Sequence, residues 1–254
     1  GVRGCFEENP PVVSAGTFIN GFYETWPIVY PEEAYGFART GQTIVDVRDA
    51  RIARLFVDGE PLDMTAVEIT SYERALDMRN GVLERTLEWI TPSGKRARLK
   101  SSRLASFTDR HLALLEYEVV ILDAPATLDI CSVTRVPAGH SHDSDDPRKS
   151  RSLGEAVLRP VSHDSDELRA VLCHETQNSG LKLACGVDHG FETECAYTVE
   201  SSCSENEASV TFSVDAEPGL PVRLVKYIAY HHDGESETGE LRNRARRTLD
   251  RAIR

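Results

Sequence analysis

The segment from residue 20 to residue 36 combines aromatic and acidic side chains more densely than any other part of the sequence. Aromatic rings stack on the flat apolar faces of sugars, and carboxylates accept hydrogen bonds from sugar hydroxyls. The same composition also suits an aromatic loop that packs against a neighbouring domain, with Pro27 and Pro31 directing its path. We therefore expect a surface that lies near carbohydrate or faces another domain. Its candidate residues are Asn20, Phe22, Tyr23, Glu24, Trp26, Glu32, Glu33 and Tyr35.

Two adjacent carboxylates in this segment, Glu32 and Glu33, raise the question of glycosidic bond cleavage. A glycosidase needs two carboxyl groups that converge on one bond, whereas adjacent residues of a strand point to opposite faces. Either glutamate would need a partner that is distant in the sequence. We therefore assign no catalytic residue.

Other residue types that perform chemistry occur in patterns that favour structural roles. Residues 140–146 offer histidine and aspartate ligands, but their spacing matches no calcium-binding loop. His231, His232 and Asp233 follow an apolar strand, where polar residues normally lead into a turn. The sequence contains neither a Gly-x-Ser-x-Gly nucleophile motif nor a Gly-x-Gly-x-x-Gly phosphate-binding motif. We expect no metal and no nucleotide cofactor.

Charge and cysteine content exclude several classes of protein. The 254 residues include 41 acidic and 29 basic ones, so the net charge is −12, which repels nucleic acids and anionic membranes. Apolar runs are far shorter than the roughly 20 residues that a membrane-spanning helix needs. The six cysteines match neither a zinc motif nor the dense disulfide frame of small secreted domains. We expect reduced, mostly buried thiols in a cytoplasmic protein that binds neither nucleic acid nor membrane.

Alternation of apolar and polar residues predicts β-strands along most of the chain. From residue 43 to residue 132, apolar side chains such as Leu87 and Trp89 share one parity and polar side chains the other, as in strands that bury one face. Asn80-Gly81 predicts a type I′ hairpin turn, and Asp58-Gly59 marks another reversal. Further strands are expected at residues 167–173, 180–187, 192–199, 210–214 and 222–230.

These strands predict a large all-β sandwich or barrel, because no helices alternate with them. Residues 137–151 are rich in His, Ser, Asp, Pro and Lys, which indicates a long polar loop or a subdomain boundary between two runs of strands.

The end of the chain predicts an amphipathic helix over residues 238–254. Leu241, Ala245, Leu249 and Ile253 recur every four residues, and Thr238 is the expected N-cap. No Gly, Asn or Pro closes this helix. We therefore expect its apolar stripe to pack on a segment further downstream.

Several long motifs resemble the start of glycoside hydrolase family 65, which includes maltose, trehalose and kojibiose phosphorylases and some trehalases. The motifs are NGFYETWPIVYPEEAYGFARTGQ at residues 20–42, RLFVDGEP at 54–61, ERALDMR at 73–79, GVLER at 81–85 and SSRLASFTDRH at 101–111. The resemblance implies a large antiparallel two-sheet supersandwich of the galactose-mutarotase-like type over residues 1–235. It also implies that residues 236–254 begin a helical linker to an (α/α)6 catalytic barrel, which this sequence does not contain.

The same resemblance implies inverting cleavage of an α-glucosidic disaccharide, with a glutamate of the barrel as general acid. Phosphate is then the co-substrate if the parent is a phosphorylase, and no cofactor is expected. No residue of this sequence corresponds to that glutamate. The implied partners are the downstream barrel, the disaccharide substrate of the parent and a second copy in a homodimer.

Two rival interpretations remain open from the residues alone. A free-standing carbohydrate-binding module would use the aromatic residues to hold a glycan without a partner domain. A self-contained sandwich hydrolase would require a convergent pair of carboxylates within the 254 residues.

Overall fold

The structure is a computed structural model that describes residues 2–3, 16–30, 32, 34–136 and 157–254. These residues form mostly β-strands, so the prediction of an all-β fold is confirmed. The elements are β1 (Val2–Arg3), β2 (Gly16–Pro27), β3 (Thr40–Asp46), β4 (Asp49–Val57), β5 (Glu60–Pro61), β6 (Glu68–Asp77), β7 (Val82–Ile90), β8 (Arg96–Ala105), β9 (Leu112–Ile121), β10 (Ala126–Arg135), β11 (Leu158–Asp166), β12 (Arg169–Thr176), β13 (Lys182–Thr193), β14 (Tyr197–Cys203), β15 (Glu207–Ala216), β16 (Pro221–Asp233) and α1 (Thr238–Ala252).

Two large antiparallel sheets form the sandwich, as expected. One has the order β11-β12-β13-β16-β9-β8-β7-β6, and the other has the order β14-β15-β10-β4-β5. A third, smaller sheet of β1, β2 and β3 adds to this architecture and carries the aromatic segment.

The main core lies between the two large sheets because alternate residues of their strands point inward. Leu87, Leu99 and Val119 lie side by side on β7, β8 and β9 and are fully buried. They share one apolar cluster with Ile130 of β10 and Phe212 of β15 in the other large sheet. The apolar residues that alternate with polar ones in the sequence thus form the inner face of each sheet.

The helix α1 packs on the outer face of the eight-stranded sheet rather than on a downstream segment. Leu241, Ala245 and Leu249 are buried against β12, β13 and β16. The expectation that this stripe packs downstream is therefore wrong for these three residues, whereas Ile253 remains 44% exposed. The predicted N-cap is also displaced by one residue. Glu237 has the extended cap conformation, and its side chain makes no cap hydrogen bond.

One hairpin turn agrees with the prediction from the sequence, and another differs from it. Asp58 and Gly59 both have positive φ and join β4 directly to β5, as a type I′ turn requires. The β6–β7 connection instead spans four residues, and only Gly81 among them has positive φ. The reason is the Asp77 carboxylate, which accepts hydrogen bonds from the backbone amides of Arg79 and Asn80.

One predicted strand, residues 192–199, is divided in the structure. β13 ends at Thr193 in the eight-stranded sheet, and β14 begins at Tyr197 in the five-stranded sheet. The chain therefore changes sheet at residues 194–196, and the local alternation pattern continues through that change.

The polar segment 137–151 lies outside the described residues. In the part of the chain that the structure describes, no helix has the length and apolar character needed to span a membrane.

Candidate functional site

The aromatic segment occupies β2 and the loop that follows it. β2 pairs with β3, and its register shifts between Phe18 and Tyr23. In the second half of β2, Phe22 and Glu24 point into the domain, whereas Tyr23 and Trp26 are half-buried. Asn20 is exposed. The alternation within β2 therefore divides the predicted site residues between the interior and the surface.

Phe22 belongs to a small apolar core beneath the third sheet. Its side chain is fully buried with Val45, Leu158 and Leu183. Its ring also meets His232 edge to face, with centroids 5.8 Å apart. Phe22 therefore stabilises the attachment of β2 to the sandwich.

Glu24 is 2% exposed and connects β2 to the turn between β12 and β13. Its Oε1 accepts hydrogen bonds from the backbone amides of Thr25 at 2.8 Å and Ser179 at 2.7 Å. Its Oε2 accepts one from the amide of Asn178 at 2.9 Å. Two reciprocal bonds complete the contact, from Ser179 Oγ to the Tyr23 carbonyl and from Asn178 Nδ2 to the Thr25 carbonyl. The Glu24 carboxylate thus binds backbone amides within the domain.

The loop after β2 carries the exposed part of the predicted site. A hydrogen bond of 2.9 Å from the Ile28 amide to the Arg39 carbonyl joins its two ends. Within it, Tyr35 is fully exposed and Val29 is 81% exposed. Glu32 is exposed, and Glu33 lies outside the described residues.

Two aromatic contacts shape this loop and its base. The rings of Tyr30 and Phe37 lie 4.7 Å apart, although Phe37 is half exposed. Trp26 faces Gly41 of β3, and a Cβ atom at Gly41 would clash with the indole ring. The loop therefore presents large apolar side chains on a base that is fixed by packing.

The histidines at the end of β16 link this strand to neighbouring elements. His231 Nε2 lies 2.9 Å from Thr248 Oγ1 of α1, and its ring stacks on His111 at 4.0 Å. Burial, with the nearby His111, lowers the pKa of His231 to about 4. The structural role expected for this histidine agrees with these contacts. The other histidine-rich stretch, residues 140–146, lies outside the described residues.

A buried arginine that sequence patterns did not single out lies between the large sheets. Arg48 is fully buried, contacts the His174 ring and donates to the carbonyl oxygens of Glu205 and Asn206. Burial lowers the pKa of Arg48 to about 10, and burial with the Arg48 charge lowers that of His174 to about 3. No amphipathic pattern surrounds Arg48, so the sequence offered no signal for it.

Lys226 is a second buried basic residue, and its position in the alternating sequence pattern of β16 did indicate that it is buried. It has the inward parity of Leu224 and Ile228 on β16. Its Nζ donates to the Val133 carbonyl at 2.9 Å, and burial lowers its pKa to about 7.

The remaining reactive groups of the described residues are cysteine thiols and possible metal ligands. Of the cysteines in the described ranges, Cys173, Cys185 and Cys195 are buried and Cys131 and Cys203 are partly buried; all five are free. Within those same ranges, no group of three or more His, Cys, Asp or Glu side chains lies close enough together to hold a metal ion.

Comparison with known proteins identifies the family. The profile described as "Glycosyl hydrolase family 65, N-terminal domain" matches residues 1–254. The α,α-trehalose phosphorylase of Thermoanaerobacter brockii is 35% identical over 95% of this chain and 32% of its own length. An uncharacterized glycosyl hydrolase of Mycobacterium tuberculosis is 35% identical over 96% of this chain and 31% of its own length. The chain thus spans about a third of these relatives.

A solved structure supports the same fold. The structure of a candidate kojibiose phosphorylase from the human microbiome superposes with a TM-score of 0.83, at 18% identity, over 99% of this chain and 31% of its own. At this identity the likeness concerns the fold alone. Because the family profile matches the whole sequence and the relatives match nearly all of it, this chain belongs to the N-terminal domain family of glycosyl hydrolase family 65.

Proposed function

We propose that this chain is the non-catalytic N-terminal β-sandwich of a larger family 65 enzyme that acts on α-glucosidic disaccharides such as trehalose, maltose or kojibiose. The catalytic residues then lie in a barrel domain, and phosphate is the co-substrate if that enzyme is a phosphorylase. The names of the relatives support this proposal, as does the short span of each relative that this chain covers.

The observation that carries a docking role is the apolar surface of the loop after β2. Val29 and Tyr35 are more than three-quarters exposed, and Phe37 is half exposed. Clusters of large exposed apolar side chains are typical of surfaces that another protein covers. Because Phe22 and Glu24 are already buried, the proposed contact with the barrel uses the exposed candidates, Asn20, Glu32 and Tyr35, together with the half-buried rings of Tyr23 and Trp26.

Two experiments test this assignment. The 254-residue chain, given trehalose, maltose or kojibiose with and without phosphate, should release neither glucose nor glucose 1-phosphate; turnover would overturn it. In the full-length enzyme, the double substitution Val29→Ser and Tyr35→Ser should lower thermal stability and kcat. Phe107→Ser, at an aromatic residue of the β8–β9 turn that is 79% exposed, is the control. If the wild-type enzyme, the double variant and the Phe107→Ser control had equal stability and turnover, this would count against docking through this loop.

A carbohydrate-binding module is the second candidate, favoured by the full exposure of the Tyr35 ring. An exposed ring can stack on a sugar face without a partner domain. Saturable binding of a disaccharide to the chain alone, lost in Tyr35→Ser, would favour this function over domain docking.

Homodimer formation, which we also propose for the parent enzyme, is measured separately by light scattering after size-exclusion chromatography.

A further inference from the structure

The helix α1 covers a buried histidine and a buried cysteine on the outer face of the eight-stranded sheet. His231, near the end of β16, is 8% exposed, and its Nε2 lies 2.9 Å from Thr248 Oγ1 of α1. Cys173 of β12 is 1% exposed and shares one apolar cluster with Leu241 and Leu249 of α1. The helix therefore helps to shield both side chains from water.

The surroundings of His231 favour its neutral form. One face of its ring stacks on His111 of the β8–β9 turn, with centroids 4.0 Å apart, and Arg244 and Arg251 of α1 add positive charge nearby. Asp109, in the same turn, is the carboxylate that opposes this effect. It already forms an ion pair with Arg251 at 2.8 Å. Burial, followed by the nearby His111, holds the pKa of His231 at about 4.

The hydrogen bond between His231 and α1 also suits a neutral ring. Thr248 Oγ1 accepts a hydrogen bond from a terminal guanidinium nitrogen of Arg251 at 3.2 Å. Its own hydroxyl hydrogen can then be donated to Nε2 of His231, which accepts only when it carries no proton. Protonation of Nε2 removes that acceptor and leaves a charge in a buried position, and both changes disfavour the packing of α1 on the sheet.

We propose that His231 makes the docking of α1 sensitive to acid, so that α1 separates more readily from β12, β13 and β16 when Nε2 takes up a proton. Once α1 has separated, water reaches the ring and its pKa returns towards the ordinary value of about 6.5. The separated form then binds the proton more tightly than the docked form. Docking is therefore weakened as the pH falls from about 6.5 to about 4.

Labelling of the Cys173 thiol with dithiodipyridine, which reacts with thiols in acid, measures how often α1 leaves the sheet. Peptide mass spectrometry distinguishes Cys173 from the other cysteines, and each rate is divided by that of a small thiol at the same pH. The relative rate should rise about twentyfold from pH 7 to pH 5, as a pKa of about 6.5 in the separated form and about 4 in the docked form requires. Near-UV circular dichroism, which reports the packing of core rings such as Trp89, should stay constant over this range because the sandwich remains folded.

Two variants show whether His231 is responsible. His231→Gln retains an amide oxygen that can accept the Thr248 hydroxyl hydrogen but cannot titrate, so its relative rate should be equal at both pH values. His232→Gln is the matched control and should retain the wild-type rise, because the His232 ring packs on Phe22 of β2 rather than on α1.

Three results would each overturn the proposal. They are a constant labelling rate in the wild type, an undiminished rise in His231→Gln, and loss of the near-UV signal at the pH where labelling accelerates. An equal loss of the rise in the His232→Gln control would also contradict a specific role of His231. None of these results depends on whether a catalytic domain docks on the loop after β2.

Discussion

The Glu24 carboxylate offers the sharpest test of how the candidate surface is held. It accepts hydrogen bonds from three backbone amides, those of Thr25, Asn178 and Ser179, and is 2% exposed. A buried donor left without its acceptor costs about 1–3 kcal/mol. In Glu24→Gln the amide oxygen can serve the two amides at the Oε1 position, while its NH2 group faces the Asn178 amide. We therefore expect a loss of about 2 kcal/mol in the free energy of unfolding.

Glu24→Ala removes both carboxylate oxygens and with them all three hydrogen bonds. It should lower the free energy of unfolding by about 4 kcal/mol, reduced by any hydrogen bonds that entering water makes with the three amides. Urea unfolding followed by circular dichroism measures both values, and an unchanged m-value would show that the comparison is between the same two states. Glu32→Gln is the control, because Glu32 is exposed in the same segment and should change stability by less than about 0.5 kcal/mol. If Glu24→Gln were as stable as this control, the carboxylate would not be fixing β2.

Two further predictions concern the core. Burial lowers the pKa of Lys226 to about 7, whereas the unfolded side chain titrates near about 10.4. Between these values the unfolded chain binds more protons, so Lys226 makes the unfolding free energy rise with pH by at most about 1.4 kcal/mol per unit. Urea unfolding measured between about pH 7 and about pH 8.5, at or below the pKa of an ordinary cysteine thiol, should show this rise in the wild type relative to Lys226→Met. Parallel plots of unfolding free energy against pH for the two proteins would contradict it. Separately, Gly186→Ala puts a methyl group 3.1 Å from Leu249 Cδ1 under α1, whereas Gly190→Ala on the same strand meets atoms at 3.8 Å or more. Calorimetry should show a loss of about 1–2 kcal/mol for Gly186→Ala alone, and equal effects of the two would refute tight packing of α1.

The fold was largely predictable because burial on one face leaves a period-two signal in each strand. That signal located the inner face formed by residues such as Leu87 and Leu99. It failed at residues 194–196, where the chain passes from one sheet to the other while the alternation continues. It also said nothing about the Asp77 carboxylate, which accepts two amides and sets the geometry of the β6–β7 loop.

The candidate site was predictable only as a segment. Composition identified residues 20–36 but treated Glu24 and Glu32 as equivalent carboxylates. The structure separates them because one faces the interior and the other faces solvent. The partners of Glu24 lie about 150 positions away in the chain, and a contact of that kind leaves no local pattern. Lys226 could have been recognised from its parity on β16, whereas Arg48 could not.

The buried polar contacts share a physical role that explains why the sandwich holds its surfaces in place. Apolar sheets tolerate small shifts against each other, because hydrophobic attraction has no direction. Lys226 of the eight-stranded sheet bonds the Val133 carbonyl of β10, at the point where the β10–β4 register shifts. Such an irregularity interrupts the ladder of backbone hydrogen bonds, and the lysine supplies a donor there. Arg48 joins the turn before β15 to His174 of β12 in the same way, and Glu24 joins β2 to the β12–β13 turn. Each contact is directional. Lys226 and Arg48 hold the two large sheets in one alignment, and Glu24 fixes β2, from which the exposed loop continues, to the eight-stranded sheet.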